Sequence, residues 1–334
     1  MSGFSVQATR ELAYASVAVA GLLTGGYTRA AAADFPSHPL RLIVPYAPGG
    51  NADIMARLIA QRLGENLGQQ VVVDNRPGAN GIIGTELAAK AAPDGYTLVL
   101  VASSLATNPT LVKHLPYDTQ RDLATISMVG STPLILAAYP GLPAATVKDL
   151  VALAKARPGQ LNYASSGNGS PANLAGALLN YMTGVNIIHV AYKGTAQAAT
   201  DVLGGHVQLA YPSMTAALPY VRSGKLKALG MTSLTRSPLA PEVPTVAESG
   251  IAGYQANIWN GVLAPGATPK PLIGRLNAEF VRVMSAAETR ERFAATGADA
   301  AHSTPEEFRA FVAAEQVKWA KVIRESGIRV ELER

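Results

Sequence analysis

The stretch Leu40-Arg41-Leu42-Ile43-Val44-Pro45-Tyr46-Ala47-Pro48-Gly49-Gly50-Asn51-Ala52-Asp53 decides the fold. An apolar run suited to a strand meets a turn almost free of side chains. A helix pattern follows at once, with Met55, Leu58, Ile59 and Leu63 on one face at helical spacing. Strand, glycine turn and helix start outline an anion site. The first N–H groups of a helix have no partner within it, and the peptide dipoles leave positive charge there. Glycines let a ligand approach that backbone closely. A carboxylate in the first turn, as at Asp53, caps the helix and holds the loop; it touches a ligand only through a donor group.

Outward from this unit the chain keeps alternating. Strand-like runs fall at 40–44, 70–74, 97–101, 126–129, 134–138, 161–164, 187–190, 207–210, 226–231 and 258–263, with helical patterns between most of them. Such alternation predicts an α/β fold of mainly parallel sheets with helices on both faces. Capping signatures mark helix starts at Thr146-Val147-Lys148-Asp149, Thr268-Pro269 and Thr304-Pro305-Glu306-Glu307. The C-terminal part reads as helices with little strand. Pro and Gly cluster at 139–143 and 237–253, which are candidate crossings between two domains.

With 334 residues, 48% hydrophobic and 15% charged, the chain is long enough for two well-cored domains. Residues 1–33 read as a secretory signal. Arg10 closes a short polar region, an apolar run of signal length follows, and Ala31-Ala32-Ala33 offers the small residues of a cleavage site. The run is too short for a membrane span. Removing this segment takes away Arg10, Arg29 and Glu11, leaving 26 basic and 22 acidic residues, net +4. The basic residues are scattered, which argues against nucleic-acid binding. There is no Cys, so neither a disulfide nor a lipid-modified cysteine is available, which fits a bacterial periplasm.

Three further loops share the design of the first. Ser165-Ser166-Gly167-Asn168-Gly169-Ser170-Pro171 lies between a strand and a helix, with Ser170 as N-cap and Pro171 at the first helical position. Tyr192-Lys193-Gly194-Thr195 opens another helix. Ser103-Ser104 follows a strand, with Asn108-Pro109 a turn later. In open α/β sheets ligands bind outside the carboxyl ends of strands. Any one such turn is more often architecture than site; their number and their wealth of N–H and hydroxyl groups carry the functional reading.

Other constellations are weaker. Gly78-Ala79-Asn80-Gly81-Ile82-Ile83-Gly84 has the wrong spacing for a dinucleotide fingerprint and follows the second strand instead of the first. Asn75-Arg76-Pro77 before it fixes a turn, with Arg76 in a structural ion pair. The five histidines, 38, 114, 189, 206 and 302, lack metal-ligand spacing. His189 sits in a strand pattern, packed or half-exposed. No nucleophile elbow surrounds Ser165 or Ser166, so a hydrolase has no motif behind it. Trp259 either lines a cleft or packs where domains join.

The quoted stretch, together with Asn75-Arg76-Pro77-Gly78-Ala79-Asn80-Gly81, Ala92-Pro93-Asp94-Gly95-Tyr96-Thr97-Leu98, the loop from Tyr163 to Ser170, Tyr192-Lys193-Gly194, Leu203-Gly204-Gly205-His206-Val207, Pro241-Glu242-Val243-Pro244-Thr245 and Trp259-Asn260-Gly261-Val262-Leu263-Ala264-Pro265, resembles a known family across the mature chain. It is similar to the solute-binding proteins of tripartite tricarboxylate transporters, the Bug receptors. The resemblance implies a periplasmic protein of two doubly wound domains, of the type II binding-protein kind, closing on a ligand in the cleft between them. The first domain would combine residues 34–135 and 257–334, and the second would hold 136–256.

The implied ligand is a small organic acid held by its carboxylate, without cofactor, metal or catalysis. The implied contacts are Tyr46, Pro48, Gly49, Gly50, Asn51, Ala52, Asp53, Ser103, Ser104, Asn108, Ser165, Ser166, Gly167, Ser170, Asn173, Tyr192, Lys193, Gly194 and Thr195. Two positions depart from the family pattern: Asn173 stands where His is frequent, and Gln197 where Pro is frequent. The implied partners of a monomeric receptor are the membrane subunits of the transporter. A sensor subunit serving a membrane kinase is the rival role.

Overall fold

The computed structural model describes residues 35–329, so the signal reading of residues 1–33 lies outside the described residues. Strands β1 (Leu40–Val44), β2 (Val71–Asn75) and β3 (Thr97–Ala102) run parallel and each leads into a helix: α1 (Asn51–Leu67), α2 (Ile82–Ala89) and α3 (Ser104–Leu111). β4 (Leu123–Thr132) then carries the chain out of this sheet. After Pro133 it enters a second sheet through β5 (Ile135–Ala138). That sheet is completed by β6 (Asn162–Ser165), β7 (Ile188–Ala191), β8 (Leu209–Ala210) and β9 (Lys227–Met231) in the order β7-β6-β8-β5-β9. Its helices are α4 (Val147–Ala156), α5 (Pro171–Thr183), α6 (Thr195–Leu203) and α7 (Met214–Arg222).

β10 (Ile258–Pro265) returns the chain to the first sheet, where α8 (Lys270–Ser285), α9 (Ala287–Ala295), β11 (Asp299–Ala300) and α10 (Pro305–Ser326) follow. The first sheet has the order β11-β4-β10-β3-β1-β2. The sheets are therefore mixed, where alternation alone predicts mainly parallel ones. β10 enters from the opposite end to β1 and β3, so it pairs antiparallel with β3; it also pairs antiparallel with outgoing β4. In the second sheet, β5 is antiparallel to both β8 and β9. β11 has only two residues, too few for any periodic signal.

Period-two burial explains the layers. Leu40, Leu42 and Val44 of β1 pack in one cluster with Met55, Ile59 and Leu63 of α1, while Ile43 joins the cluster on the other face that holds Phe308, Val312 and Trp319 of α10. Fully burying each such side chain is worth roughly 1.5–3 kcal/mol. Close approach also fixes one glycine: a Cβ on Gly261 of β10 would lie 2.0 Å from the Phe308 ring. Trp259, two residues earlier, is a packing residue. It is 2% exposed, and its indole N–H donates to the Glu315 carboxylate at 3.2 Å.

Where the sheets meet, the crossing segments are tied together. Thr232 is fully buried just beyond β9. Its hydroxyl accepts from Leu134 N (2.8 Å) and donates to Asn257 Oδ1 (3.0 Å), and the Asn257 amide donates to Ser131 Oγ on β4 (3.1 Å). β4 and β10 remain paired up to this point, with Ile258 opposite Thr132, through register shifts at Asn260/Gly261 and Val262/Leu263.

Candidate functional site

Because β1, β2 and β3 are parallel, the loops that follow them emerge at one edge of the first sheet. The first runs from Pro45 to Gly50. Gly49 has φ +80°, a conformation that L side chains rarely adopt, and an added Cβ would meet nothing within 4 Å. Gly50 is the N-cap of α1 in extended geometry, and no side chain caps that helix start. The N–H groups of Asn51, Ala52 and Asp53 thus open the helix beneath an exposed Pro48-Gly49-Gly50 turn.

Asp53 is buried beneath this turn and faces inward. Its Oδ2 accepts from Gly49 N (2.9 Å) and Arg57 Nε (3.0 Å), and its Oδ1 accepts from the Asn75 amide (2.9 Å). Burial works to raise the carboxyl, but the Arg57, Gly49 and Asn75 donors outweigh it and hold Asp53 below its ordinary value. The same Asn75 amide reaches Tyr46 O at 3.2 Å. Arg76 pairs with Asp74 at 2.9 Å, the structural ion pair expected of it.

Tyr46 is committed inside the protein as well. Its hydroxyl accepts from Ala102 N (2.8 Å) and lies 2.9 Å from Ser104 Oγ. Burial raises the phenol, against the lowering effect of those two bonds. Ser103 starts α3, and Asn108 lies beneath it, 1% exposed, exchanging hydrogen bonds with Asn80. The second glycine set also packs against the first loop: a Cβ on Gly84 would sit 2.8 Å from Pro45 Cβ. Tyr46, Asn108 and Asp53 therefore shape the first cluster, while Pro48–Ala52 and the partly exposed Ser103 and Ser104 form its surface.

The second cluster stands at the carboxyl ends of β6 and β7, which are also parallel. Ser165 is buried. Its hydroxyl donates to Gly167 O (3.0 Å), accepts from Gly167 N (3.0 Å) and lies 2.6 Å from His189 Nε2. Ser170 caps α5 by accepting from Asn173 N, and donates to Gly167 O at 2.7 Å. Asn173 lies under the loop, not on its surface. Its amide oxygen accepts from Gly169 N (2.9 Å) and its amide nitrogen donates to Tyr163 Oη (3.1 Å). Ser166 is left exposed at the crest, beside half-buried Gly167.

Tyr192 N donates to Ser165 O at 3.0 Å, which joins the two loops. The Tyr192 hydroxyl donates to Asp201 Oδ2 at 2.6 Å; burial, then the Asp201 acceptor, push the phenol up to about 12. Gly194 (φ +142°) is the N-cap of α6, again without a side-chain cap, and Lys193, Thr195 and Gln197 are exposed around it. Burial lowers the pKa of half-buried His189 below its ordinary value.

The expected residues thus assemble as two clusters, one on each sheet. Among the described residues no hydrogen bond or ion pair joins the clusters directly. Three contributors escaped the sequence reading. Asn75 was legible only as part of a turn. Thr132, whose hydroxyl accepts from the Asn51 amide at 3.3 Å, and His189, which holds Ser165, depend on contacts 81 and 24 residues apart. Among the described residues there is no group of three His, Asp or Glu side chains placed to hold a metal ion, and no helix long and apolar enough to cross a membrane.

The fold has known relatives. The chain is 41% identical over 326 residues to protein BugT of Bordetella pertussis, covering 97% of this chain and 99% of that one. The periplasmic binding protein BugD superposes with a TM-score of 0.70 at 34% identity, covering 89% of this chain and all of that one. The R. palustris protein Rpa4515, solved with adipate, superposes with a TM-score of 0.73 at 34% identity over 89% of this chain and 99% of that one. The α/β architecture of two helix-covered sheets is that of these binding proteins. A family model described as the tripartite tricarboxylate transporter family receptor matches residues 55–328, and the chain belongs to that family.

Proposed function

We propose that the protein is a periplasmic receptor that captures a small organic acid by its carboxylate and presents it to the membrane subunits of a tripartite transporter. The observation that carries this reading is the pair of glycine-led helix starts at Gly50 and Gly194, one on each sheet, that no side chain caps. Each offers N–H groups and the positive end of a helix dipole to an anion. The adipate in the R. palustris relative is an acid of the expected kind.

Neutral donors suit a receptor that must release its cargo. Charge-assisted hydrogen bonds contribute roughly 1.5–3 kcal/mol each. Three or four of them with cleft closure reach the ~8 kcal/mol of a micromolar complex. We place the division between two moving bodies near residues 135 and 257, where β4 and β10 carry the chain across. Closure brings the two clusters onto one carboxylate, so binding and closure are coupled. Export by residues 1–33 and action as a monomer complete the reading.

The test is a thermal-shift screen of the purified protein with a broad panel of organic acids. A ligand at 100 times its Kd adds ~2.7 kcal/mol of stability, a readily measured rise in midpoint. A panel in which no carboxylate moves the midpoint rejects the reading.

A further inference from the structure

The second sheet carries a cavity of about 420 Å³ between α6 and α7 at the carboxyl ends of β6 and β8. Ser165, Ser166 and Thr195, from the second cluster, border it. Past them the lining is mainly apolar, with Leu134, Pro171, Ala199, Val202, Leu226 and Ile258, and its polar side chains there are uncharged: Tyr211, Ser213 and Tyr220. Leu134 and Ile258 belong to the two crossing segments, so the cavity extends to the place where the sheets join. Among the described residues no Lys, Arg, His, Asp or Glu lines it. Lys193, two residues before Thr195, is exposed and stands outside the lining.

We propose that this cavity receives the body of the captured acid, and that the acid is a monocarboxylate with an apolar aromatic or medium-length alkyl body, not a compact di- or tricarboxylate. The inference rests on the carboxylate-capture reading above and narrows its ligand class. The carboxylate stays at the mouth, where Ser166 and the start of α6 at Thr195 supply hydroxyl and N–H donors. A second carboxylate pushed inward would leave water with no opposite charge to meet it. An apolar body in the same space gains from leaving water. The volume lies within the range of small-molecule sites that bury most of their ligand.

Isothermal titration of the purified protein with propionate, butyrate, hexanoate, phenylacetate, malate and citrate tests this. Along propionate, butyrate and hexanoate the Kd should fall about fourfold for each methylene withdrawn from water. Phenylacetate should bind with hexanoate-like affinity, and malate and citrate more weakly than either. Two variants fill the cavity from different walls, Ala199→Phe from α6 and Ala216→Phe from α7. Either should weaken hexanoate and phenylacetate by about tenfold or more while leaving propionate unchanged. A flat chain-length series, or malate or citrate binding more tightly than hexanoate, overturns the cavity assignment while leaving carboxylate capture standing. Failure of every acid to bind overturns the capture reading itself.

Discussion

The Asn51 side-chain amide donates to Thr132 Oγ1 at 3.3 Å, so the first helical residue behind the glycine turn is tied to the last residue of β4. One step further, Pro133 and Leu134 carry the chain into the second sheet. The glycine turn of one sheet is thereby bonded to the strand that leads into the other.

Asn51→Ala breaks this tie without touching the core. Binding of the best acid in the screen should weaken about fivefold, in keeping with a net hydrogen-bond value of ~1 kcal/mol. Thermal stability should change little, since Asn51 is exposed. Thr132→Val should weaken binding similarly, and the double variant should be no worse than either alone. Additive losses measured by titration calorimetry would separate the two residues.

Gly50 and Gly49 should respond differently to substitution. Gly50 has φ −75°, and an added Cβ would lie 3.4 Å from Ala47 O, an ordinary contact. Gly50→Val should therefore fold with a near-native melting midpoint and lose ligand binding, because its branched side chain covers the helix start. Gly49→Ala carries the backbone cost of positive φ, ~1 kcal/mol or somewhat more, and should lower the midpoint. Equal ligand affinity in Gly50→Val would move the site elsewhere.

Asp53→Ala should be destabilising by ~2–3 kcal/mol in urea unfolding with an unchanged m-value. It leaves Gly49 N–H, Asn75 and Arg57 without their shared acceptor. The native carboxyl is held below its ordinary value of 3.8, so its contribution is present above that value and is lost as pH falls through the folded one. The variant should show a flatter acid limb than the native protein.

His189 sets a second pH dependence at a higher range. Burial lowers its folded pKa below the ordinary 6.5, so the unfolded chain binds the proton more readily. Its contribution is full above pH 6.5 and declines as pH falls from there toward the folded value. His189→Gln, which keeps a polar group beside Ser165, should remove that slope between pH 7 and 5 in a series of thermal melts. An unchanged slope would assign it to other groups.

Much of this was legible from local pattern. Every strand from Leu40–Val44 to Ile258–Pro265 announced itself as an apolar run between turn residues, and the Thr146 and Thr304 capping boxes formed as written. The sheet directions were not legible. β10 reads like any other buried strand, and only its arrival from the second sheet makes it antiparallel. The loops were visible, but not the division of labour within them. Asn173 and Asn108 stand among the contacts the resemblance implies, yet each is bonded inside the protein through partners that the fold brings near, whereas Asp53 holds its loop as its place in the first helical turn suggests. Trp259 was open between cleft and core until Glu315, 56 residues away, accepted its indole N–H.

The position of β10 has a consequence for how the molecule is made. It lies between β3 and β4, at the centre of the first sheet, yet it is supplied after the whole of the second sheet. A chain emerging from its N-terminus can complete the second sheet, which is continuous in sequence from Ile135 to Met231, before the first sheet has its central strand. Until Pro265 has been delivered, β3 and β4 lack the neighbour that pairs with both, and the late, long-range closure of that sheet keeps the nascent chain open.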